Sequence, residues 1–377
     1  MRIKCSVLSV LVLFAIGVQA QQLYSPSDKR ATLETRWLYS SMQRLQGAGV
    51  MFGHHDDTAY GIGWSAQENH SDVKSVTGTY PAVYGWDLAK MEHDSKKDIN
   101  SIPFKLQRKL VQQAYARGGI NTFCWHLDNP VDGKSAWDTT QRIVAQIIPG
   151  GAYHEAYKLY LDRIARYMRT LKGPEGEAIP ILFRPFHELT GTWFWWCRNK
   201  CTPDEFKTLW RFTIDYLRNE KHLHNLLIVY SVADFDTKEQ FLQRYPGDEY
   251  VDFVGFDNYC YKSISNYQRN LYKRLELQQE IADEHHKVSC LAETGYENIP
   301  VADWWTQTLE PVLAKNNRTS YVLAWRNGRD NFHYYVPYPG QVSAYDFKKF
   351  SQSPVTMFQN RITSLAVYGK YISPMVK

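Results

Sequence analysis

The chain has 377 residues, of which 44% are hydrophobic and 15% aromatic, and its formal net charge is +5. The hydrophobic fraction is enough for a substantial core, and a length of this kind fits one barrel domain or two to three smaller domains. Acidic and basic residues are interleaved along the chain, which excludes a nucleic-acid-binding arm or patch as the basis of function.

The N-terminus has the pattern of a secretion signal. Arg2 and Lys4 supply the charged region, an apolar run covers residues 7–16, and a small-x-small cleavage site ends at Ala20. Cleavage there leaves residues 21–377, and the loss of two basic residues lowers the net charge from +5 to +3. The apolar run is too short to span a membrane. We therefore expect an exported protein with no membrane segment, in the periplasm rather than in the medium.

Eight short apolar runs, predicted to be strands, alternate with helical patterns. The strands are predicted at 50–53, 80–86, 119–125, 179–183, 225–231, 251–256, 288–292 and 321–324. Helices are predicted at 28–47, 101–117, 153–172, 202–220, 266–286 and 301–315. This alternation predicts an α/β fold with a single (β/α)8 TIM-barrel domain over residues 21–377. A doubly wound sheet is the alternative, but no glycine-rich phosphate loop follows the first strand.

Polar and aromatic residues follow nearly every predicted strand, on the side where a barrel keeps its active site. The fourth strand is followed by Arg184, His187 and Glu188, and then by a cluster of tryptophans at 193, 195 and 196. A carboxylic acid beside an imidazole and aromatic faces is typical of a site that protonates a sugar and stacks on it. The alternative is a loop of core tryptophans, but Arg, His and Glu would then all need buried partners. The 12 Trp and 26 Tyr of the chain also favour carbohydrate contact.

Glu188 and Glu293 form a candidate catalytic pair. They are 105 residues apart, which is about three units of roughly 31 residues and takes the chain from strand four to strand seven. Glycoside hydrolysis requires two carboxylic acids on either side of the scissile bond. Because both glutamates follow strands directly, we expect their carboxyl groups about 5–5.5 Å apart, the spacing of a retaining enzyme. The alternative is two glutamates that cap the barrel with ion pairs.

Four motifs resemble those of glycoside hydrolase family 26. They are Arg-Pro-Phe-His-Glu-Leu-Thr-Gly-Thr-Trp-Phe-Trp-Trp, Leu-Ala-Glu-Thr-Gly-Tyr-Glu, Tyr-Pro-Gly-Asp-Glu-Tyr-Val-Asp-Phe-Val-Gly-Phe-Asp-Asn-Tyr and Ala-Trp-Arg-Asn. The resemblance covers essentially the whole chain after the signal, and its His-Glu-x-x-Gly-x-Trp segment is specific. Members of this family are mostly β-mannanases on (β/α)8 barrels. The resemblance thus implies a retaining β-1,4-mannan hydrolase that acts on mannan, glucomannan or galactomannan without a cofactor.

The resemblance also implies a role for individual residues. It places the acid/base on Glu188 and the nucleophile on Glu293. The implied substrate-binding residues are His126, His187, Trp193, Asp257, Tyr259, Trp325 and Arg326. Extra aromatic residues, at Trp86 and over 334–338, follow strands two and eight. Loops of this kind set the number of sugar subsites, so endo action and mannobiose-releasing exo action both stay open.

The run His54-His55-Asp56-Asp57 follows the first strand and contains metal-ligand residue types. Adjacent histidines point in different directions on an extended segment, so we expect no metal here. We expect instead that one of the two histidines lines the far end of the sugar cleft.

Five cysteines follow the signal sequence. Cys197 and Cys201 bracket a short polar loop, where a local disulfide stays open. Cys124, Cys260 and Cys290 lie in apolar strands and are expected to be small core residues.

Two other functions stay open from the residues alone. One is hydrolysis of a different β-glycan on the same scaffold, such as a mixed-linkage glucan or a β-1,3-xylan. The other is non-catalytic glycan binding. Both carboxylates and their flanking residues are intact, which argues against it. Tolerance of galactose branches and the oligomeric state also stay open.

Overall fold

A closed barrel of eight parallel strands forms the centre of the computed structural model, which describes residues 24–369. The strands are β1 (Val50–His55), β2 (Val83–Asp87), β3 (Ile120–Cys124), β4 (Ile181–Arg184), β5 (Leu226–Val232), β6 (Phe253–Cys260), β7 (Val288–Tyr296) and β8 (Tyr321–Ala324). Each strand pairs with the next one along the chain, and β8 pairs with β1. This closure confirms the predicted TIM barrel and excludes a doubly wound sheet, which has two free edges. The predicted signal sequence lies outside the described residues.

Helices surround the barrel, and they follow the strands in chain order. Their bounds are α1 (Leu33–Arg44), α2 (Asp72–Thr77), α3 (Phe104–Ala116), α4 (Val144–Ile147), α5 (His154–Met168), α6 (Pro203–Asp215), α7 (Lys238–Leu242), α8 (Ile264–His285), α9 (Glu310–Lys315), α10 (Ala344–Gln352) and α11 (Gln359–Thr363). Single π-helical turns follow α6 at Tyr216–Glu220 and precede α9 at Trp305–Leu309. Among residues 24–369, no helix is both long and apolar enough to cross a membrane.

The helices that the sequence analysis missed, α2, α4, α7, α10 and α11, have between four and nine residues. Apolar periodicity needs a window of about 11–18 residues to stand out, so helices this short carry too little pattern. Two short strand pairings were also missed: a hairpin of Tyr60–Gly61 with Trp64–Ser65, and Thr356–Met357 beside β1. The helix predicted from residue 202 does begin there, because Thr202 is the N-cap of α6 and forms a capping box with Glu205.

The barrel strands are buried almost throughout, because side chains on one face fill the barrel and those on the other pack against helices. Close approach of β1 and β2 requires a glycine. A Cβ atom at Gly85 would lie 2.6 Å from Nδ1 of His55, so Gly85 makes room for that imidazole. His55 can therefore occupy a buried position at the carboxyl end of β1.

An irregularity in β7 orients the carboxyl end of that strand. Phe256 of β6 pairs with Leu291, but the next β6 residue, Asp257, pairs with Glu293, so Ala292 is an extra residue on β7. The pairing of β7 with β8 shifts by one residue in the same region. Such a β-bulge bends its strand and redirects the side chains that follow it. Here it determines where the carboxyl group of Glu293 points.

Candidate active site

Glu188 lies in the loop that follows β4, and its backbone adopts an unusual conformation. Its φ is 55°, in the left-handed region that residues with a Cβ atom rarely adopt, and φ of Phe186 is 49°. Hydrogen bonds hold this conformation: Gly191 N–H donates to the carbonyl of Glu188 at 2.8 Å, and Trp196 Nε1–H donates to the carbonyl of His187 at 2.9 Å. Backbone strain that is held in this manner is typical of functional loops.

The environment of Glu188 favours its protonated form. Burial is the main cause and the charge of Glu293 adds to it, and together they raise the pKa of Glu188 to about 7. The indole Nε1–H of Trp193 donates to Oε2 of the carboxyl group at 2.6 Å. Glu188 can thus carry a proton near neutral pH and donate it to a group that is bound next to Trp193.

Glu293 has the opposite environment, because two donors contact its carboxylate. The hydroxyl of Tyr259 donates to Oε2 at 2.7 Å, and the guanidinium of Arg184 forms an ion pair with Oε1. Arg184 also pairs with Asp257 at 2.9 Å, and Asp257 accepts a hydrogen bond from Ser231 at 3.1 Å. Arg184 and Asp257 are buried. A fixed cation and a fixed hydroxyl thus both contact the carboxylate of Glu293 and hold it in one orientation.

The two glutamates lie close together. One carboxylate oxygen each of Glu188, Glu293 and Asp257 lie within 4.8 Å of one another. In retaining glycosidases the two carboxyl groups are about 5–5.5 Å apart, whereas inverting enzymes need about 6.5–9.5 Å to admit a water molecule. The arrangement therefore fits direct attack by one carboxylate on an anomeric carbon.

Two histidines form the wall behind Glu188. Nε2 of His187 lies 3.1 Å from Nε2 of His126, and Nδ1 of His126 lies 2.6 Å from Oδ2 of Asp87 at the end of β2. Burial lowers the pKa of His187 well below its ordinary value. Burial would also lower the pKa of His126, but the charge of Asp87 and its hydrogen bond raise it instead. The two shifts are thus opposite in direction: that of His187 favours the neutral imidazole and that of His126 the cationic one.

A cleft of about 220 Å³ opens in front of the two carboxyl groups. Five residues of its walls were implied by the resemblance as substrate-binding: His126, His187, Trp193, Tyr259 and Trp325. Glu188 and Glu293 also line it. The indole of Trp325 stacks on His55, with ring centroids 4.3 Å apart, which leaves the other face of the indole for the cleft. Aromatic faces beside two carboxylic acids can hold and cleave a sugar chain.

The structure places two other predicted binding residues outside the walls of the cleft. Asp257 lies beneath it, where it pairs with Arg184. Arg326 is half-buried near Asp56 and His55. Burial is the main cause that raises the pKa of Asp56 to about 6 and lowers that of His55; the charge of Arg326 opposes the first shift and adds to the second. We infer that Asp257 acts on the site through Arg184.

Other sequence expectations for this region need correction. Neither His54 nor His55 lines the cleft: both are 1% exposed, and His54 forms an ion pair with Asp57 at 2.8 Å. Trp86 was expected in a substrate loop, but it is fully buried and donates to Asn121 at 2.9 Å. The reason is the same in all three cases: these residues belong to β1 and β2 themselves, whose side chains are buried on both faces, either inside the barrel or against the helices.

The cleft also contains residues that the sequence analysis did not assign. They are Trp137, Phe194, Tyr261 and His333, together with Tyr335 from the aromatic run after β8. Trp137 is 48% exposed and stacks on His126 at 5.1 Å, and Tyr261 is 79% exposed. The one sequence signal that could have identified such residues is a large aromatic residue within a polar loop. Trp137, in the segment Gly-Lys-Ser-Ala-Trp, has this signal.

The five cysteines among residues 24–369 are buried free thiols, including Cys197 and Cys201. The thiol of Cys197 donates to the carbonyl of Glu188 at 3.4 Å, and the thiol of Cys201 donates to the carbonyl of Trp196 at 3.6 Å. Burial raises the pKa of Cys201 to about 11 and that of Cys197 to about 12. The pair therefore helps to hold the loop after β4 as hydrogen-bond donors. Cys124, Cys260 and Cys290 are core residues, as expected.

Three groups of ligand-type side chains come close enough to hold a metal ion among the described residues. They are Asp87–Cys124–His126, Glu92–His93–Asp128 and Glu188–Asp257–Glu293. Two of the groups already contact a positive charge: Lys90 lies 2.6 Å from Asp128, and Arg184 pairs with Asp257 at 2.9 Å. These cations occupy the electrostatic role that a metal ion would have.

Comparison with known proteins gives consistent matches. The family model described as Glycosyl hydrolase family 26 matches residues 27–300. A mannan endo-1,4-beta-mannosidase of Bifidobacterium adolescentis is 34% identical over 87% of this chain, which spans 35% of that relative's length. A mannan endo-1,4-beta-mannosidase of Bacillus subtilis is 26% identical, with 86% of this chain and 90% of the relative aligned.

Solved structures match the fold closely. A GH26 beta-mannanase from Bacteroides ovatus superposes with a TM-score of 0.85 at 45% sequence identity, over 87% of this chain and 96% of that one. A double mutant of an endo-beta-1,4-mannanase from Cellulomonas fimi superposes with a TM-score of 0.85 at 32% identity, over 93% of this chain and 80% of the other.

Proposed function

The chain belongs to glycosyl hydrolase family 26, and from this premise we propose that it is a mannan endo-1,4-β-mannosidase that retains the anomeric configuration. The observation that carries the proposal is the pairing of Glu188 and Glu293. One carboxyl group has its pKa raised to about 7, the other is bound by Arg184 and Tyr259, and their oxygens lie within 4.8 Å. This division into an acid and a nucleophile is what a double displacement requires.

In the first step, a carboxylate oxygen of Glu293 attacks the anomeric carbon of the mannosyl unit. Glu188 gives its proton to the departing glycosidic oxygen, so the carbon–oxygen bond breaks without forming an alkoxide. Tyr259 and Arg184 keep Glu293 in one orientation during the attack. The product of this step is a glycosyl ester on Glu293 and a shortened sugar chain with a free hydroxyl.

In the second step, Glu188 is ionised and acts as the base. It takes a proton from a water molecule that attacks the same anomeric carbon, and the bond to Glu293 breaks. Glu188 then carries a proton again, ready for the next cycle. Two inversions at one carbon restore the β configuration.

The aromatic walls of the cleft support a polymeric sugar substrate. Trp325 and Trp193 offer flat apolar faces to the C–H faces of sugar rings, and Trp137 extends this surface beyond His126. Mannan, glucomannan and galactomannan are the proposed substrates. We also propose that the protein is exported, to the periplasm rather than the medium, because of the signal pattern that ends at Ala20.

The stereochemical outcome tests the mechanism. Proton NMR of the reaction on mannohexaose should show the β-anomer of the new reducing end first, followed by mutarotation. An α-anomer as the first product would contradict the nucleophile assignment of Glu293.

Two variants separate the roles of the glutamates. Glu293→Ala should be inactive on every substrate, because it has no group to form the glycosyl ester. Glu188→Ala should fail on mannan but still react with an aryl mannoside, whose leaving group needs no proton. Azide should then accelerate turnover and give a β-mannosyl azide. Equal behaviour of the two variants would contradict the assignment.

The product profile on mannohexaose over time distinguishes endo from exo action. Endo cleavage should give a mixture of oligosaccharides from the earliest time point. Mannobiose alone from the start would show exo action and overturn the endo part of the proposal.

A further inference from the structure

We propose that Asp87 is a positioning residue of the active site: it holds His126 as a buried imidazolium, and His126 in turn fixes His187 as the tautomer with its proton on Nδ1. Asp87 lies at the end of β2 and touches neither glutamate. Only its kinetic consequences rest on the proposed function, because the charge of one histidine and the tautomer of the other are properties of the free protein.

The contacts of Asp87 all serve to orient one imidazole. Oδ1 accepts hydrogen bonds from the backbone N–H groups of Ala89 at 2.9 Å and His126 at 3.2 Å. Oδ2 lies 2.6 Å from Nδ1 of His126. Asp87 is 0% exposed, and a carboxylate that deeply buried needs a positive partner. The imidazole of His126 is the group placed to supply that charge.

The second nitrogen of His126 then has a defined role. As an imidazolium, His126 carries a proton on Nε2, which points at Nε2 of His187 over 3.1 Å. Two protons cannot share that gap, so Nε2 of His187 must be the acceptor. The proton of the neutral His187 ring is then on Nδ1. That atom is buried and has no hydrogen-bond partner among the described residues, so its proton is unpaired in the free protein.

The charges around His126 favour the cationic form on balance. Besides Asp87, the carboxylates of Glu293 on β7 and Glu188 after β4 raise its pKa. The opposing groups are Arg184 on β4 and His55 on β1; each lowers the pKa of a neighbouring histidine. Trp137 stacks on the ring at 5.1 Å, and an aromatic face also stabilises a cation.

The charge of His126 also affects the pKa of Glu188. It is one of the groups that lower the pKa of Glu188, although burial and Glu293 raise that pKa more. Loss of the charge should therefore raise the pKa of Glu188 further. Because Glu188 must be protonated to act as acid, the alkaline limit of activity should move to higher pH.

The substitution Asp87→Asn tests the charge with little change of shape. Its Oδ1 can still accept from both backbone N–H groups, and its amide can donate to Nδ1 of His126. His126 then becomes neutral with its proton still on Nε2. Asp252→Asn is the matched control, because Asp252 is also fully buried and accepts backbone hydrogen bonds, from Ser27 and Ile228, but does not line the cleft.

The direct measurement is nitrogen-15 NMR of histidine-labelled protein, with signals assigned from His126→Gln and His187→Gln. In the wild type we expect both nitrogens of His126 protonated at pH 6.5 and the proton of His187 on Nδ1. Asp87→Asn should abolish the imidazolium. A neutral His126 in the wild type, or a His187 protonated on Nε2, would overturn the proposal even if the variant failed to fold.

The kinetic measurement is the pH profile of kcat/KM on mannan. Asp87→Asn should move the alkaline limb to higher pH and lower kcat about tenfold, with Asp252→Asn leaving the limb in place. A limb that does not move in Asp87→Asn, with its fold intact, would contradict the link to Glu188. If the wild type itself proved inactive on mannan, the proposed function would fail while the NMR result still stood.

Discussion

The indole of Trp193 donates its Nε1–H to Oε2 of Glu188 at 2.6 Å. An indole can only donate, and the carbonyl oxygen of a carboxylic acid is its better acceptor, so this contact favours a proton on Oε1 over one on Oε2. Trp193 comes five residues after Glu188 in the same loop and is 41% exposed. One side chain thus both orients the proton and offers an aromatic face to the leaving sugar.

Replacement of Trp193 by Phe keeps an aromatic face but removes the donor. We expect kcat/KM on mannan to fall about three- to tenfold, as for loss of one hydrogen bond. Since this hydrogen bond lowers the pKa of Glu188, its loss should also move the alkaline limb to higher pH. A pH profile of the variant checks this, and an unchanged limb would show that Trp193 acts only by stacking.

The raised pKa of Glu188 predicts both an activity profile and a stability profile. Wild-type kcat/KM should decline as the pH rises past about 7, where the acid ionises. The folded-state pKa lies above the ordinary value of 4.5, so the stability contributed by neutral Glu188 is present below that value and lost as the pH rises through about 7.

Glu188→Gln cannot ionise, so it should unfold at a higher temperature than the wild type at pH 8, by about 2 °C or more. At pH 4 the two proteins should have nearly equal Tm. Thermal unfolding at both pH values is the measurement, and a lower Tm for the variant at pH 8 would contradict the assignment.

Tyr259→Phe removes the hydroxyl that donates to Glu293 at 2.7 Å. A hydrogen bond to a charged group is worth about 1.5–3 kcal/mol, so we expect kcat to fall roughly ten- to hundredfold. The burst of leaving group from an aryl mannoside separates formation of the glycosyl ester from its hydrolysis. A slower burst would show that the hydroxyl assists attack by Glu293. Wild-type burst kinetics would show that Arg184 alone is enough to orient Glu293.

Trp325→Ala should impair catalysis and sugar binding in a protein that still folds. Stacking on an aromatic ring is worth about 1–3 kcal/mol per base in nucleic-acid platforms, and on that scale kcat/KM should fall roughly five- to hundredfold. Tyr345→Ala is the control, since Tyr345 is 73% exposed and does not line the cleft. Wild-type kcat/KM on mannan in Trp325→Ala would contradict a sugar-stacking role.

Dialysis against a chelator should leave activity unchanged. Arg184 already places a positive charge against both Glu293 and Asp257, and two carboxylic acids suffice for the chemistry. The measurement is turnover on mannan before and after dialysis, with circular dichroism to follow the fold. Activity that is lost and then restored by zinc or calcium, with an intact fold throughout, would show that a metal ion takes part.

The sequence by itself determined the barrel and which two glutamates meet at its mouth. Eight apolar runs alternating with helices permit few arrangements, and residues that follow parallel strands must meet at one end of a barrel. Glu188 and Glu293 could be paired from their spacing because each lies on or directly after a strand. Residues that are buried for packing, such as Trp86 and His55, are of the same types as sugar-binding residues. For that reason they were wrongly expected at the cleft.

Tertiary structure alone decided how the two glutamates differ. The β-bulge at Ala292 has no signature in the sequence, yet it brings Glu293 beside Tyr259 and Arg184. The relay from Asp87 through His126 to His187 joins three separate strand ends, and Trp137 reaches His126 from an irregular loop. These contacts depend on closure of the barrel, which brings together residues far apart in the chain, and local patterns of hydrophobicity contain no information about such distances.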